Sequence, residues 1–108
     1  MQKSNNIFAE IPTTAMEEIV EELVRSKSVR IERIVSTGQI TPEDYWYDQD
    51  QNEWVIVLKG KAQLLFQTTD QTVSLQAGDY IHIPAHVKHR VTWTSPNEPT
   101  IWLAVFYE

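Results

Sequence analysis

Two short stretches of this sequence contain side chains that could bind a metal ion or transfer protons. Glu53 precedes the apolar run Trp54–Leu58, and a carboxylate beside such a run is costly to bury without a cation or hydrogen-bond donors. His86 and His89 follow Pro84, and imidazole is both a metal ligand and an acid–base group. Three plainer interpretations stay open: Glu53 exposed at a strand entrance, His86 on a surface loop, and His89 as a buried neutral imidazole.

Short strands are the elements that would position these side chains. Apolar alternation between turn signals predicts strands at about 29–37, 54–58, 62–66, 72–75, 80–83, 89–94 and 101–107. His82 alternates with its apolar neighbours in one of them, so we expect it to face outward and not to be a ligand. All three glycines fall in the predicted turns. The pattern predicts an all-β fold, a small antiparallel barrel or sandwich.

The N-terminal quarter of the chain has a different period. Thr14 followed by Glu17 is a capping-box pattern. Apolar residues then recur at three- and four-residue spacing, at Met16, Ile19, Val20, Leu23 and Val24. This spacing predicts one α-helix at about 14–26, with its glutamates on a solvated face. The expected organisation is therefore an N-terminal extension over 1–27 and a β-barrel over 28–108.

Two spacings in the second half of the chain resemble the motifs of the cupin superfamily. Glu53 is followed after six residues by Gly60, which is similar to the end of the first cupin motif. Gly78, Pro84 and His89 stand at the spacings of the second motif, 17 residues further on. The resemblance implies a small jelly-roll barrel in which Glu53 and His89 project into one interior and meet a divalent cation.

The sequence departs from the cupin pattern at two imidazole positions. The family's His-x-His pair is replaced by Tyr47 and Gln49, or by Trp46 and Asp48, depending on how the spacing is counted. A motif glycine is replaced by His86. The resemblance then implies a metal set of Glu53, His86 and His89, with Asp48 or Gln49 as a further oxygen donor. Such a set suits Fe, Mn, Ni or Zn.

Two functions of different class follow from this comparison with the family. The first is a metal-binding cupin that acts on a small organic molecule. The second is a metal-free cupin that binds a small ligand as a sensor or accessory protein, with Glu53 and His89 as a hydrogen-bonded pair. Tyr47, Gln49 and Trp93 are the candidate ligand-pocket residues, although aromatic residues at strand spacing can equally be core.

Composition limits the other function classes. The 108 residues carry a net charge of −6, which disfavours binding to nucleic acid, and contain no cysteine, which excludes disulfides and thiolate metal sites. Apolar runs of membrane-spanning length and a signal-peptide pattern are absent from the sequence, so we expect no membrane association and a cytoplasmic location. We also expect a homodimer, formed through edge strands at Ile7–Ile11 or Ile101–Tyr107.

Overall fold

The protein is built from two antiparallel β-sheets, as shown by a computed structural model that describes residues 2–108. The strands are β1 (Ile19–Arg25), β2 (Val29–Ser36), β3 (Asn52–Lys59), β4 (Lys61–Phe66), β5 (Gln71–Gln76), β6 (Tyr80–Ile83), β7 (His89–Thr94) and β8 (Thr100–Tyr107). One sheet has the order β1-β2-β8-β3-β6 and the other the order β5-β4-β7. The predicted all-β barrel is confirmed.

The core lies between the two sheets and follows the two-residue period of the strands. In β3 the side chains of Glu53, Val55 and Val57 are buried, and the residues between them are less so. The buried apolar cluster draws on both sheets and consists of Val55, Val57, Ala62, Leu64, Leu75, Ile83, Trp102, Ala104 and Phe106. Glu53 therefore belongs to a row of side chains that otherwise forms the core.

Gly60 makes the tight connection between β3 and β4. Its φ of 90° lies in the left-handed region, which L-residues other than glycine adopt at a cost. A β-carbon there would lie 2.7 Å from the Thr100 α-carbon and 2.9 Å from the Pro99 carbonyl oxygen. Glycine therefore lets this turn pack directly against the start of β8.

The prediction of an α-helix at 14–26 is wrong. The second half of this segment is strand β1, which pairs with β2 through six residue pairs and has a bulge between Glu22 and Val24. Three of its seven residues, Ile19, Val20 and Val24, are β-branched and suit a strand. All seven are exposed, so the helix-like spacing of apolar residues reflects no buried helical face. Strand β1 also places part of the expected extension in the barrel sheet.

The two segments expected to form open edges are not edges. Strand β8 lies between β2 and β3, and residues 7–11 form no strand. Arg33 Nη1 holds that segment by donating hydrogen bonds to the carbonyl oxygens of Ile7 (3.1 Å) and Ala9 (2.7 Å). The outermost strands of the larger sheet are β1 and β6.

No stretch of residues 2–108 forms a helix long and apolar enough to cross a membrane.

Candidate functional site

A cavity of about 210 Å³ lies between the two sheets. Eight apolar side chains line it, among them Trp102 and Phe106. Its polar lining consists of Glu18, Arg30, Glu32, Tyr47, Gln49, Glu53 and His89. The volume is below the roughly 300–1,000 Å³ of pockets for drug-sized ligands, so the cavity suits a small molecule.

Glu53 brings a carboxylate into this cavity from the start of β3, an inner strand of the five-stranded sheet. Its backbone lies opposite Phe106 of β8 on one side and Ile83 of β6 on the other. The residue is only 7% exposed. Within the described chain, no N–H or O–H group donates a hydrogen bond to this carboxylate. Because buried carboxylates normally have such partners, Glu53 is an acceptor available to a ligand.

His89 enters the cavity from the opposite sheet, at the first position of β7. Its backbone exchanges two hydrogen bonds with Tyr47, at 2.8 and 3.2 Å, and its ring stacks on the Tyr47 ring with centroids 5.6 Å apart. Nδ1 lies 2.9 Å from the Val87 carbonyl oxygen. Since a carbonyl oxygen only accepts, Nδ1 carries a proton, and Nε2 is the nitrogen left to exchange a proton with a ligand.

Glu53 and His89 face each other across the cavity. His89 Nε2 lies 3.6 Å from Glu53 Oε1, and the two side chains are 6% and 10% exposed. This separation is too long for a direct hydrogen bond. A carboxylate and an imidazole so placed can both contact one hydroxyl or amine group, which gives the site acid–base capacity.

A third acidic side chain, Glu18, is held beside this pair by a buried relay. Trp102 Nε1 donates to Ser36 Oγ at 3.0 Å, and Ser36 Oγ donates to Glu18 Oε2 at 2.8 Å. Burial raises the pKa of Glu18 above its ordinary value, the nearby Glu53 charge adds to this, and the Ser36 hydrogen bond opposes it. Burial and the charge of Glu18 likewise raise the pKa of Tyr47. The cavity therefore disfavours additional negative charge.

His86 and Asp48 form a separate pair in the loops outside the cavity. His86 Nδ1 lies 2.8 Å from Asp48 Oδ1, with side chains 64% and 41% exposed. The backbone of His86 has a φ of 64° and donates a hydrogen bond to the Gln49 carbonyl oxygen. The four expected metal ligands thus lie in two pairs, one buried and one at the surface.

The side chains of the cavity do not by themselves fit a resident transition metal. Protein zinc and non-haem iron sites commonly use three or four side-chain ligands. Across residues 2–108, no group of three or more His, Asp or Glu side chains could hold a metal ion. Glu53 and His89 supply two ligand atoms, and the rest of a coordination sphere would have to come from elsewhere.

The two-sheet architecture and the buried Glu53–His89 pair agree with a sequence comparison. Residues 32–106 match the family described as the Cupin domain. The chain is a cupin. None of the curated protein sequences compared with it matches it significantly.

Solved structures similar to this cupin cover nearly its whole length. A proposed mannose-6-phosphate isomerase from Ralstonia eutropha JMP134 is 43% identical over 99% of both chains, with a TM-score of 0.95. A cupin superfamily protein from Desulfitobacterium hafniense DCB-2 is 19% identical over 99% of this chain and 93% of its own, with a TM-score of 0.79. A conserved Streptococcus pyogenes protein of unknown function is 18% identical over 100% and 89%, with a TM-score of 0.77. The last two show the fold alone.

The candidate pocket residues of this cupin lie in different places. Tyr47 and Gln49, which stand at positions of the missing His-x-His pair, line the cavity. Trp93 does not line it and is 38% exposed. His82 is exposed, and its Nε2 lies 2.6 Å from the Tyr107 hydroxyl, which agrees with the expectation that it faces outward.

Sequence reasoning missed Glu18 and the inward row of β2. Glu18 falls in a run of glutamates that was assigned to a solvated helix face, whereas it lines the cavity together with Val20, two residues later. In β2, Arg30, Glu32 and Ile34 share the cavity face at every second position. This alternation was readable, but polar residues at such positions do not indicate which face of a strand is buried.

Proposed function

We propose that this cupin binds a small polar organic molecule in the barrel cavity, through Glu53 and His89, without requiring a resident metal ion. The observation that carries the proposal is the buried Glu53 carboxylate, which faces His89 Nε2 at 3.6 Å and is otherwise free to accept hydrogen bonds. A hydroxyl or amine group of a ligand would supply the missing donor, and the interior position makes that contact strong.

Two further features support a hydroxylated ligand of about monosaccharide size. The cavity is small and combines acidic side chains with the aromatic side chains of Trp102 and Phe106. The Ralstonia eutropha relative, 43% identical, is described as a proposed mannose-6-phosphate isomerase, which favours a carbohydrate-like ligand here. His89 Nε2 is the atom that would accept or return a proton if the bound molecule also reacts.

The proposal is tested by saturation-transfer NMR on metal-stripped protein with a panel of sugars, polyols and amino alcohols. We expect at least one saturable ligand, whose binding is lost in Glu53→Gln and in His89→Gln. The matched controls Asp48→Asn and His86→Gln alter the exposed pair and should retain binding. A panel without a single binder, or a ligand that Asp48→Asn releases equally well, would overturn the proposal.

A divalent metal ion held in the barrel is the second candidate. The observation in its favour is that Glu53 and His89 already place an oxygen and a nitrogen ligand 3.6 Å apart, and both ligand types suit Fe, Mn, Ni or Zn. Elemental analysis of protein purified without an affinity tag tests it. A stoichiometric ion that Glu53→Gln and His89→Gln remove, and that His86→Gln leaves in place, would favour this candidate over the metal-free one.

We also propose that the protein forms a homodimer through β1. This edge strand leaves its apolar side chains exposed, with Leu23 at 42% and Val24 at 51%, and open apolar edges tend to pair.

Light scattering at micromolar concentrations checks the homodimer. We expect a dimer for the wild-type chain and a monomer for Val24→Lys, because a charged edge residue opposes pairing. Tyr80→Lys, in the opposite edge strand β6, is the control and should remain dimeric. A monomeric wild-type protein, or dissociation by Tyr80→Lys and not by Val24→Lys, would contradict the assignment of β1.

A further inference from the structure

The positive charge that lines the cavity is already matched by protein groups. Arg30 is the only Lys or Arg among the lining residues that the structure describes. Its Nε lies 2.9 Å from Glu32 Oε2, and its guanidinium carbon lies 4.3 Å from the centroid of the Phe106 ring. Nη1 donates to Gln51 Oε1 at 3.4 Å. Arg30 thus neutralises Glu32, although its Nε has no hydrogen-bond partner among residues 2–108. Because three carboxylates face this one guanidinium, the cavity lining is negative on balance.

The two remaining carboxylates, those of Glu53 and Glu18, have no cationic Lys or Arg partner within the described cavity lining. Glu53 is 7% exposed and accepts no hydrogen bond from residues 2–108. Glu18 is oriented by Ser36 on one oxygen, Oε2, so that Oε1 remains for a ligand. The Glu53 carboxylate and the Oε1 atom of Glu18 are acceptors without a protein donor, and they favour a ligand that brings N–H or O–H groups.

We infer that this cavity selects uncharged or cationic ligands with hydroxyl or amine groups over phosphorylated ones, and that Glu18 enforces the choice. The inference rests on the proposed function and narrows it to a ligand class. A phosphate group brings about two negative charges and only acceptor oxygens. Proteins recognise it with Arg, Lys or free backbone N–H groups, whereas here it would meet Glu18 and Glu53.

Three probes with one hexose skeleton isolate the effect of charge: D-mannose, protonated D-mannosamine and D-mannose 6-phosphate. The indole N–H signal of Trp102 in a ¹H–¹⁵N NMR titration reports binding locally, because Trp102 lines the cavity and donates to Ser36 beside Glu18. The Ser36→Ala variant identifies that signal among the four indole signals of the chain.

We expect metal-stripped protein to bind mannose and mannosamine at least about tenfold more tightly than the 6-phosphate, since like charges repel strongly at low dielectric. Glu18→Gln keeps the size of the side chain and removes its charge, and it should reduce this ratio by about threefold or more. Glu17→Gln, which changes an exposed neighbour, should leave the ratio unchanged.

Each outcome bears on a different claim. Equal or tighter binding of the 6-phosphate at the Trp102 signal would overturn the charge selection and leave the proposed function intact. An unchanged ratio in Glu18→Gln would overturn the role of Glu18. If none of the three probes shifts the Trp102 signal saturably, the inferred ligand class is overturned. The proposed function is overturned as well only if the wider NMR panel also contains no binder.

Discussion

The molecule contains two histidine–carboxylate pairs, and the better-formed pair is the one less suited to function. His86 and Asp48 approach to 2.8 Å at the surface, where water screens their interaction and supplies alternative partners. His89 Nε2 and Glu53 Oε1 lie 3.6 Å apart in the interior, where both atoms lack a hydrogen-bond partner among the described residues. The comparison of the two pairs indicates that buried polar groups without hydrogen-bond partners mark a binding site better than a short contact does.

The largest expected effect comes from removing one member of the buried pair. His89→Ala removes a buried ring that stacks on Tyr47 and leaves the buried Glu53 carboxylate without its nearest polar neighbour, so it should lower the free energy of unfolding by about 3 kcal/mol. Adding Glu53→Gln to this variant should restore part of the loss, because the uncompensated charge is gone. Urea denaturation measures both variants. A double variant less stable than His89→Ala would contradict the charge explanation.

Two turn glycines have a similar φ, 90° at Gly60 and 94° at Gly78, but only Gly60 is closely packed. Gly60→Ala should cost more than about 2 kcal/mol, because backbone strain is joined by a clash with Thr100 and Pro99. Gly78→Ala should cost only about 1 kcal/mol, since nothing lies within 4 Å of the added carbon. Thermal unfolding compares them, and equal losses would show that the clash is relieved.

A pH-dependent effect is expected from Glu18. Its pKa is raised in the folded protein from an ordinary 4.5, so the folded state holds this proton more tightly than the unfolded state does. The contribution of Glu18 to stability is therefore complete below the unfolded pKa and is lost as the pH rises through the folded pKa. Glu18→Gln should be more stable than wild type at neutral pH, and the difference should shrink toward pH 4.5.

Thermal unfolding of Glu18→Gln, Glu17→Gln and wild type across this pH range checks the sign. The Glu17→Gln profile should follow that of the wild type. A Glu18→Gln protein that is less stable than wild type at neutral pH would show that the charged carboxylate is favoured in the cavity.

The smallest expected effect belongs to the exposed pair. His86→Ala should change the free energy of unfolding by less than about 1 kcal/mol, as exposed ion pairs contribute little. Asp48→Asn should behave alike, and the double variant should be close to additive. Denaturant titrations measure these changes. A loss as large as that of His89→Ala would remove the distinction between the two pairs.

The sequence predicted most of this barrel because strand period and turn chemistry are local properties. Alternation identified seven of the eight strands, and the motif around Glu53 and His89 indicated the cupin fold. Strand β1 was missed because its exposed residues have no two-residue pattern to read, and pairing with β2 decides its conformation. Local capping and spacing rules are blind to such a pairing.

The site was less predictable than the fold, since its members depend on side-chain direction and on distant elements. Glu18 enters the cavity through its hydrogen bond from Ser36, 18 residues away. His86 stands at a motif position but turns to Asp48 on the surface because of its own loop conformation. Neither outcome leaves a trace in the spacing of residues.

Selective ¹⁵N labelling of the three histidines offers the most direct test of the central claim, that the interior pair is the ligand site. Metal-stripped protein is titrated with D-mannose while the ring nitrogens of His82, His86 and His89 are observed together. Our account predicts a saturable shift of His89 Nε2, with the other two rings unchanged. A shift confined to His86, or none at His89 with any ligand found in the wider panel, would contradict it.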